Sequence, residues 1–131
     1  MPQLSTVLLA TKGEARKANL TLDSDSRLSI ETVQKYFRKK EAPEEVGYYE
    51  YNDKLIHLLG YKKGKSGTEN KSELPPPYDK EKFYGDILVI LSEAETSFEN
   101  PLPFTTEVWQ KFTNGLLDRA SEDEEESEDE S

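Results

Sequence analysis

Cysteine is absent from this sequence, and histidine occurs only once in its 131 residues. Without cysteine the chain can form no disulfide framework, no thiolate zinc site and no cysteine nucleophile. The one histidine, His57, stands in an expected strand between apolar neighbours, which is typical of a half-exposed strand residue rather than of a catalytic base. No nucleophile is paired with a base, so we predict a non-enzymatic protein without catalytic, cofactor or metal-binding residues. The missing cysteines fit a protein of the nucleus or cytoplasm.

Long apolar runs are also missing. No stretch approaches the roughly 18 apolar residues that suggest a membrane-spanning helix, and the apolar cluster at 7–10 follows no basic region, as a signal peptide would require. Hydrophobic residues make up 34% of the sequence and charged residues another 34%. We therefore expect a soluble protein with a thin core and no membrane span.

The negative charge is concentrated at the C-terminal end. The formal net charge of −10 comes from 27 acids and 17 bases, and residues 121–131 hold eight of those acids and no base. The remaining 19 acids nearly balance the 17 bases, which leaves a net charge of −2. We predict one domain over 1–117 and a disordered acidic tail over 118–131. The eight acids of 121–131 are the predicted partner-binding residues: Glu122, Asp123, Glu124, Glu125, Glu126, Glu128, Asp129 and Glu130.

Hydrophobic periodicity predicts the element order β-β-α-β-β-loop-β-α. Alternating residues predict one hairpin around 12–17 and a second around 52–53. Apolar residues at helical spacing predict a helix over 30–40, with Ser29 as its N-cap. The stretch 87–91 is the most hydrophobic and predicts a central strand buried on both faces. A second, short helix is expected to follow Thr105 or Thr106.

This order predicts an α+β fold. Its first part matches the elements of a β-grasp, in which a hairpin, a crossing helix and further strands build one mixed sheet. We therefore expect a β-grasp-like mixed sheet with one crossing helix, a C-terminal helix and the acidic tail.

The acidic tail suggests the favoured function, which is protein binding. It would engage or shield a basic, nucleic-acid-associated partner. Ser121 and Ser127 each precede an acid by three residues, as sites of acidophilic kinases do. Phosphorylation there would add roughly −1.5 to −2 charges per site and deepen the acidity.

A basic loop provides an alternative function, direct nucleic-acid binding. Its predicted phosphate contacts are Lys62, Lys63, Lys65 and Lys71, and the basic residues 38–40 at the end of the expected helix could approach them. The segment 60–66 resembles a phosphate-binding P-loop but has three residues, not four, before its Gly-Lys-Ser. A turn-forming sequence follows in place of the required helix, which disfavours a nucleotide site.

The segment 75–78 has the Pro-Pro-x-Tyr pattern of ligands for WW domains. Pro75, Pro76 and Tyr78 would be the contact residues, because a preformed polyproline helix docks into an aromatic groove at low entropic cost. The structural alternative is that the prolines stiffen a connection and that Tyr78 packs on the core. The flanking residues favour this structural alternative, because the loop must lead directly into the strand expected near Tyr84.

The block 60–79, together with Phe83-Tyr84-Gly85-Asp86-Ile87, resembles a small uncharacterised family of nucleocytoplasmic large DNA viruses and some protists. The resemblance covers about a quarter of the chain and implies no catalytic residue. It implies that 69–70, 74–77 and 85–86 form a shared structural loop. It also implies a virion or viral-factory setting, and so a virion structural protein as a further alternative.

Overall fold

The computed structural model describes residues 3–72, 74–75, 78 and 80–116. The predicted element order is found, with one additional short strand. The elements are β1 (Gln3–Leu9), β2 (Ala15–Thr21), α1 (Ile30–Phe37), β3 (Glu44–Tyr51), β4 (Lys54–Tyr61), β5 (Tyr84–Glu93), β6 (Pro101–Leu102) and α2, described over 106–116. The acidic tail and its two serines lie outside the described residues.

The strands form one six-stranded sheet in the order β2-β1-β5-β4-β3, with β6 paired to β5. The predicted α+β class is confirmed. The predicted mixed sheet is wrong, because every strand pairing within the described residues is antiparallel. The central strand β5 runs opposite to both β1 and β4, whereas a β-grasp would place a parallel pair at the centre.

The apolar run of β5 is buried on both faces, as predicted. Its side chains alternate between two core clusters, because successive strand residues point to opposite faces of a sheet. Ile87 and Val89 join the cluster beneath α2, and Leu88 and Ile90 join the cluster beneath α1. The core therefore lies along β5 on both sides of the sheet. Full burial of each such side chain stabilises the fold by about 1.5–3 kcal/mol.

Helix α1 begins where the sequence predicts but ends three residues early. The Ser29 hydroxyl accepts a hydrogen bond from the backbone N–H of Thr32 at 3.2 Å and caps the helix. Arg38 ends it, because its φ of 58° is left-handed. The side-chain amide of Gln34 then donates to the carbonyls of Lys39 and Lys40, each at 3.1 Å. The basic residues after α1 therefore belong to a closed turn rather than to the helix.

The second hairpin turns at the predicted pair. Asn52 and Asp53 have φ values of 44° and 62°, and two consecutive left-handed residues suit the tight turn between twisted antiparallel strands.

Helix α2 begins after Thr105, whose hydroxyl accepts from the N–H of Val108 at 3.2 Å. Within the described part of the chain, no helix has the length and apolar character needed to cross a membrane.

Candidate functional site: a basic cleft

The long loop between β4 and β5 is tied to the sheet at Asn70. Its side-chain amide donates to the carbonyl of Leu9 at 3.0 Å and to that of Gly85 at 2.8 Å. Its backbone N–H donates to the carbonyl of Phe83 at 2.7 Å. A buried carbonyl left unpaired is costly, so these bonds fix the returning half of the loop against β1 and β5.

The outgoing half of the loop is held by a turn at Lys65. The backbone N–H and the hydroxyl of Thr68 both donate to the Lys65 carbonyl, at 3.0 and 2.6 Å. The Thr68 carbonyl then accepts from the N–H of Gly85 at 2.8 Å. Lys65 is therefore carried by a backbone that is bonded to the start of β5.

This loop and the turn after α1 enclose a cleft of about 380 Å³, which we call the basic cleft. Four lysines line it and only one acid does. Its lining residues are Lys39, Lys40, Glu41, Tyr61, Lys63, Gly64, Lys65, Thr68, Tyr84 and Gly85. The cations come from two segments more than twenty residues apart, so the folded chain creates a basic concavity that neither segment forms alone.

Two of the four predicted phosphate contacts line the basic cleft. Lys63 and Lys65 face it, together with the residues after α1. Lys62 lines a neighbouring depression that also holds Glu41. Lys71 lies at the β1–β2 turn, where its N–H donates to the carbonyl of Thr11 at 2.8 Å. Lys62 therefore adjoins the basic cleft, whereas Lys71 lies in a different part of the molecule.

Two tyrosines add aromatic surface to the basic cleft. The ring of Tyr61 lies 5.9 Å from that of Phe37, and its hydroxyl donates to the Glu41 carbonyl at 2.7 Å. Burial raises the pKa of this hydroxyl, and the charge of Glu41 raises it further, so Tyr61 stays neutral beside the lysines. Tyr84 packs against the backbone of Gly64, where an added Cβ would lie 2.6 Å from the Cβ of Tyr84. Tyr61 belongs to the lysine-rich segment itself, whereas Tyr84 comes from the next strand and is not evident from the sequence.

The segment that resembles a P-loop does not build one. A turn at 66–67 follows the Gly-Lys-Ser, and no helix starts there. A phosphate in the basic cleft would therefore meet lysine ammonium groups rather than the free N–H groups of a helix N-terminus.

The tyrosine of the Pro-Pro-x-Tyr pattern packs on the sheet. The ring of Tyr78 lies 5.3 Å from that of Tyr49, and its hydroxyl accepts from the N–H of Tyr48 at 3.1 Å. An added Cβ at Gly47 would lie 2.6 Å from the same ring. A WW domain would have to remove Tyr78 from these contacts. Pro75 is buried, and Pro76 lies outside the described residues.

The expectation of a half-exposed His57 is wrong, because β4 is covered on both faces. The imidazole is 3% exposed. Its Nδ1 lies 2.6 Å from a carboxylate oxygen of Glu45, and its Nε2 lies 2.7 Å from the hydroxyl of Ser92. Ser92 is wholly buried, so no substrate can reach its hydroxyl in this conformation. The sequence gives no signal for this pairing, since the strand register alone brings Ser92 beside β4.

Among the described residues, no cluster of three potential ligands could hold a metal ion. Comparisons with protein-family models, with curated proteins and with solved structures found no match to this chain.

Proposed function

We propose that the basic cleft binds the phosphate backbone of single-stranded nucleic acid. The observation that carries this proposal is the convergence of Lys39 and Lys40 with Lys63 and Lys65 on one cleft. Lysines that neutralise phosphates release condensed counterions, which supplies sequence-independent affinity.

Most described cations, the four cleft lysines included, form no ion pair within the described residues. Arg16 is paired with Glu14 at 2.7 Å, and Arg27 with Glu99 at 2.9 Å. No ion pair within the described residues involves the four cleft lysines. An external anion can therefore meet their ammonium groups without first breaking a salt bridge to the described part of the fold.

The tyrosines favour a single strand over a duplex. Proteins that bind single strands without sequence preference combine a basic groove with aromatic rings on which bases stack. Tyr61 and Tyr84 occupy the same cleft as the lysines. A duplex keeps its bases stacked inside and would use the lysines alone.

The test is the affinity of the full chain for a fluorescently labelled oligothymidylate of about 12 nucleotides. The variant Lys39→Gln/Lys63→Gln/Lys65→Gln should bind at least about tenfold more weakly at about 50 mM salt. Fluorescence anisotropy measures both affinities.

The matched control is Lys12→Gln/Lys17→Gln/Lys111→Gln, which removes the same charge from exposed lysines outside the basic cleft. It should bind nearly as well as the unaltered chain. Equal losses in both variants would reject a cleft-specific site, and no binding by any chain would reject the proposal as a whole.

A second candidate is the interaction of the acidic tail with a basic, nucleic-acid-associated protein. It is supported by the eight acids in 121–131, which account for most of the net charge. In affinity purification from the native source, partners of the tail should be lost when those acids are replaced by amides. Recovery of the same partners by both chains at low salt would reject it.

A further inference from the structure

We infer that the acidic tail occupies the basic cleft of its own chain and competes there with nucleic acid. This inference rests on the proposed function of the cleft and adds its regulation. Eight acids follow α2 in the sequence, and four lysines without ion-pair partners among the described residues line the cleft. The tail and the basic cleft therefore carry charges of opposite sign within one chain.

The length of the tail allows this contact. Leu116, at the end of the described part of α2, lies beside Asn52 at the β3–β4 turn. The basic cleft lies at the other end of β4, which has eight residues and spans about 25 Å at roughly 3.3 Å per residue.

Glu130 lies fourteen positions after Leu116. A chain of that length reaches about 45 Å when extended and averages about 20 Å end to end as a flexible coil. At about 3.3 Å per extended residue, the acids from Glu124 to Glu130 can therefore span the roughly 25 Å to the cleft, whereas Glu122 and Asp123 fall short of it.

The lysines cannot discriminate strongly between the two anions. An ammonium group is a point charge that accepts carboxylate and phosphate oxygens alike. A tethered competitor acts at an effective concentration in the millimolar range, so weak, salt-sensitive contacts suffice to keep it in place. A nucleic acid must displace the tail before its phosphates can reach the lysines.

The contact itself can be observed without nucleic acid. The full chain is compared with a full-length variant in which the tail acids are replaced by amides, as Glu122→Gln or Asp123→Asn, at all eight positions. In ¹H–¹⁵N spectra at about 50 mM salt, we expect shift differences at 39–40, 63–65 and 84–85, and we expect them to fade as salt screens the charges. Differences confined to the tail and to the end of α2 would overturn the inference.

The competition is measured with the same labelled oligothymidylate. The amide variant should bind it roughly tenfold more tightly than the unaltered chain, since a competitor at millimolar effective concentration has been removed. In the background of the three lysine substitutions that weaken the cleft, the same change in the tail should have little effect. That double-mutant cycle separates a contact in the cleft from a general effect of net charge.

The outcomes separate the two proposals. Equal binding by the unaltered chain and the amide variant would overturn the competition while leaving the cleft as a nucleic-acid site. Absence of oligothymidylate binding by every chain, together with shift differences at the cleft, would overturn the proposed function while leaving the contact between tail and cleft. A tenfold gain that persists without the cleft lysines would assign the effect to net charge and overturn the inference.

Discussion

At the scale of single residues, Gly64 determines where Tyr84 can lie. A Cβ at this position would lie 2.6 Å from the Cβ of Tyr84 and 2.8 Å from its Cγ, so Gly64→Ala must displace the ring or the loop. Stacking of a base on an aromatic ring contributes about 1–3 kcal/mol. We expect Gly64→Ala to weaken oligothymidylate binding about fivefold or more, as measured by fluorescence anisotropy.

The control for this substitution is Gly115→Ala, because a Cβ there meets nothing within 4 Å. Gly115 lies in α2, where alanine stabilises a helix relative to glycine. Its variant should bind as the unaltered chain does. Unchanged binding by the Gly64→Ala variant would show that Tyr84 does not contact the nucleic acid.

A second residue-scale prediction concerns the buried contact between His57 and Ser92. Ser92→Ala leaves Nε2 of a histidine that is 3% exposed without its partner at 2.7 Å. An unsatisfied buried polar group costs about 1–3 kcal/mol, so urea denaturation should show a loss of unfolding free energy in that range. Ser66→Ala, on an exposed loop, should leave stability unchanged.

The Ser92→Ala variant should lose stability but keep its affinity for oligothymidylate. Ser92 pairs with Leu55 near one end of β4, whereas Tyr61 lines the basic cleft at the other end. Binding should therefore stay within about twofold of the unaltered chain once the protein is folded. A stable Ser92→Ala protein that loses binding would contradict a purely structural role for this pair.

At the scale of elements, Asn70 is the anchor of the loop that carries Lys63 and Lys65. Asn70→Ala removes three hydrogen bonds: two that the side-chain amide donates to the carbonyls of Leu9 and Gly85, and one that Oδ1 accepts from the backbone N–H two residues along. At about 0.5–1.5 kcal/mol for each bond, the variant should lose about 1.5–4.5 kcal/mol of unfolding free energy in urea denaturation. It should also bind oligothymidylate more weakly, since the loop lysines are no longer held beside α1.

Asn19→Ala is the matched control for the loop anchor. Asn19 is exposed on β2, and its side chain accepts from the hydroxyl of Ser5 at 3.1 Å. Its variant should retain both stability and binding. Full binding by a destabilised Asn70→Ala protein would show that the cleft assembles without this anchor.

Local elements could be predicted from the sequence because their signals are local. Alternation predicted the hairpin at Asn52 and Asp53, and helical spacing with Ser29 predicted the start of α1. The end of α1 was missed because Arg38 adopts a left-handed conformation without a glycine to signal it. The parallel pair expected of a β-grasp was wrong because pairing partners depend on contacts between distant strands, which periodicity does not report.

At the scale of the whole molecule, the basic cleft could be predicted only in part. The distribution of charge along the sequence distinguishes the acidic tail from the nearly neutral remainder of the chain. It also indicates a lysine-rich loop over 62–71. The sequence does not show that Lys63 and Lys65 join Lys39 and Lys40 in one cleft while Lys71 lies elsewhere, because that depends on how the loop is tied to β1 and β5. Tyr84 was missed for a related reason, because it reaches the basic cleft from β5 and not from the lysine loop.

The salt dependence of oligothymidylate binding by the full chain shows whether the lysines of the basic cleft neutralise phosphates. Each phosphate neutralised on a single strand contributes about −0.7 to the slope of log K against log salt concentration. The variant Lys39→Gln/Lys63→Gln/Lys65→Gln should therefore have a slope shallower by about 2, and the control Lys12→Gln/Lys17→Gln/Lys111→Gln should keep the slope of the unaltered chain. Equal slopes in all three proteins would contradict a phosphate site in the basic cleft.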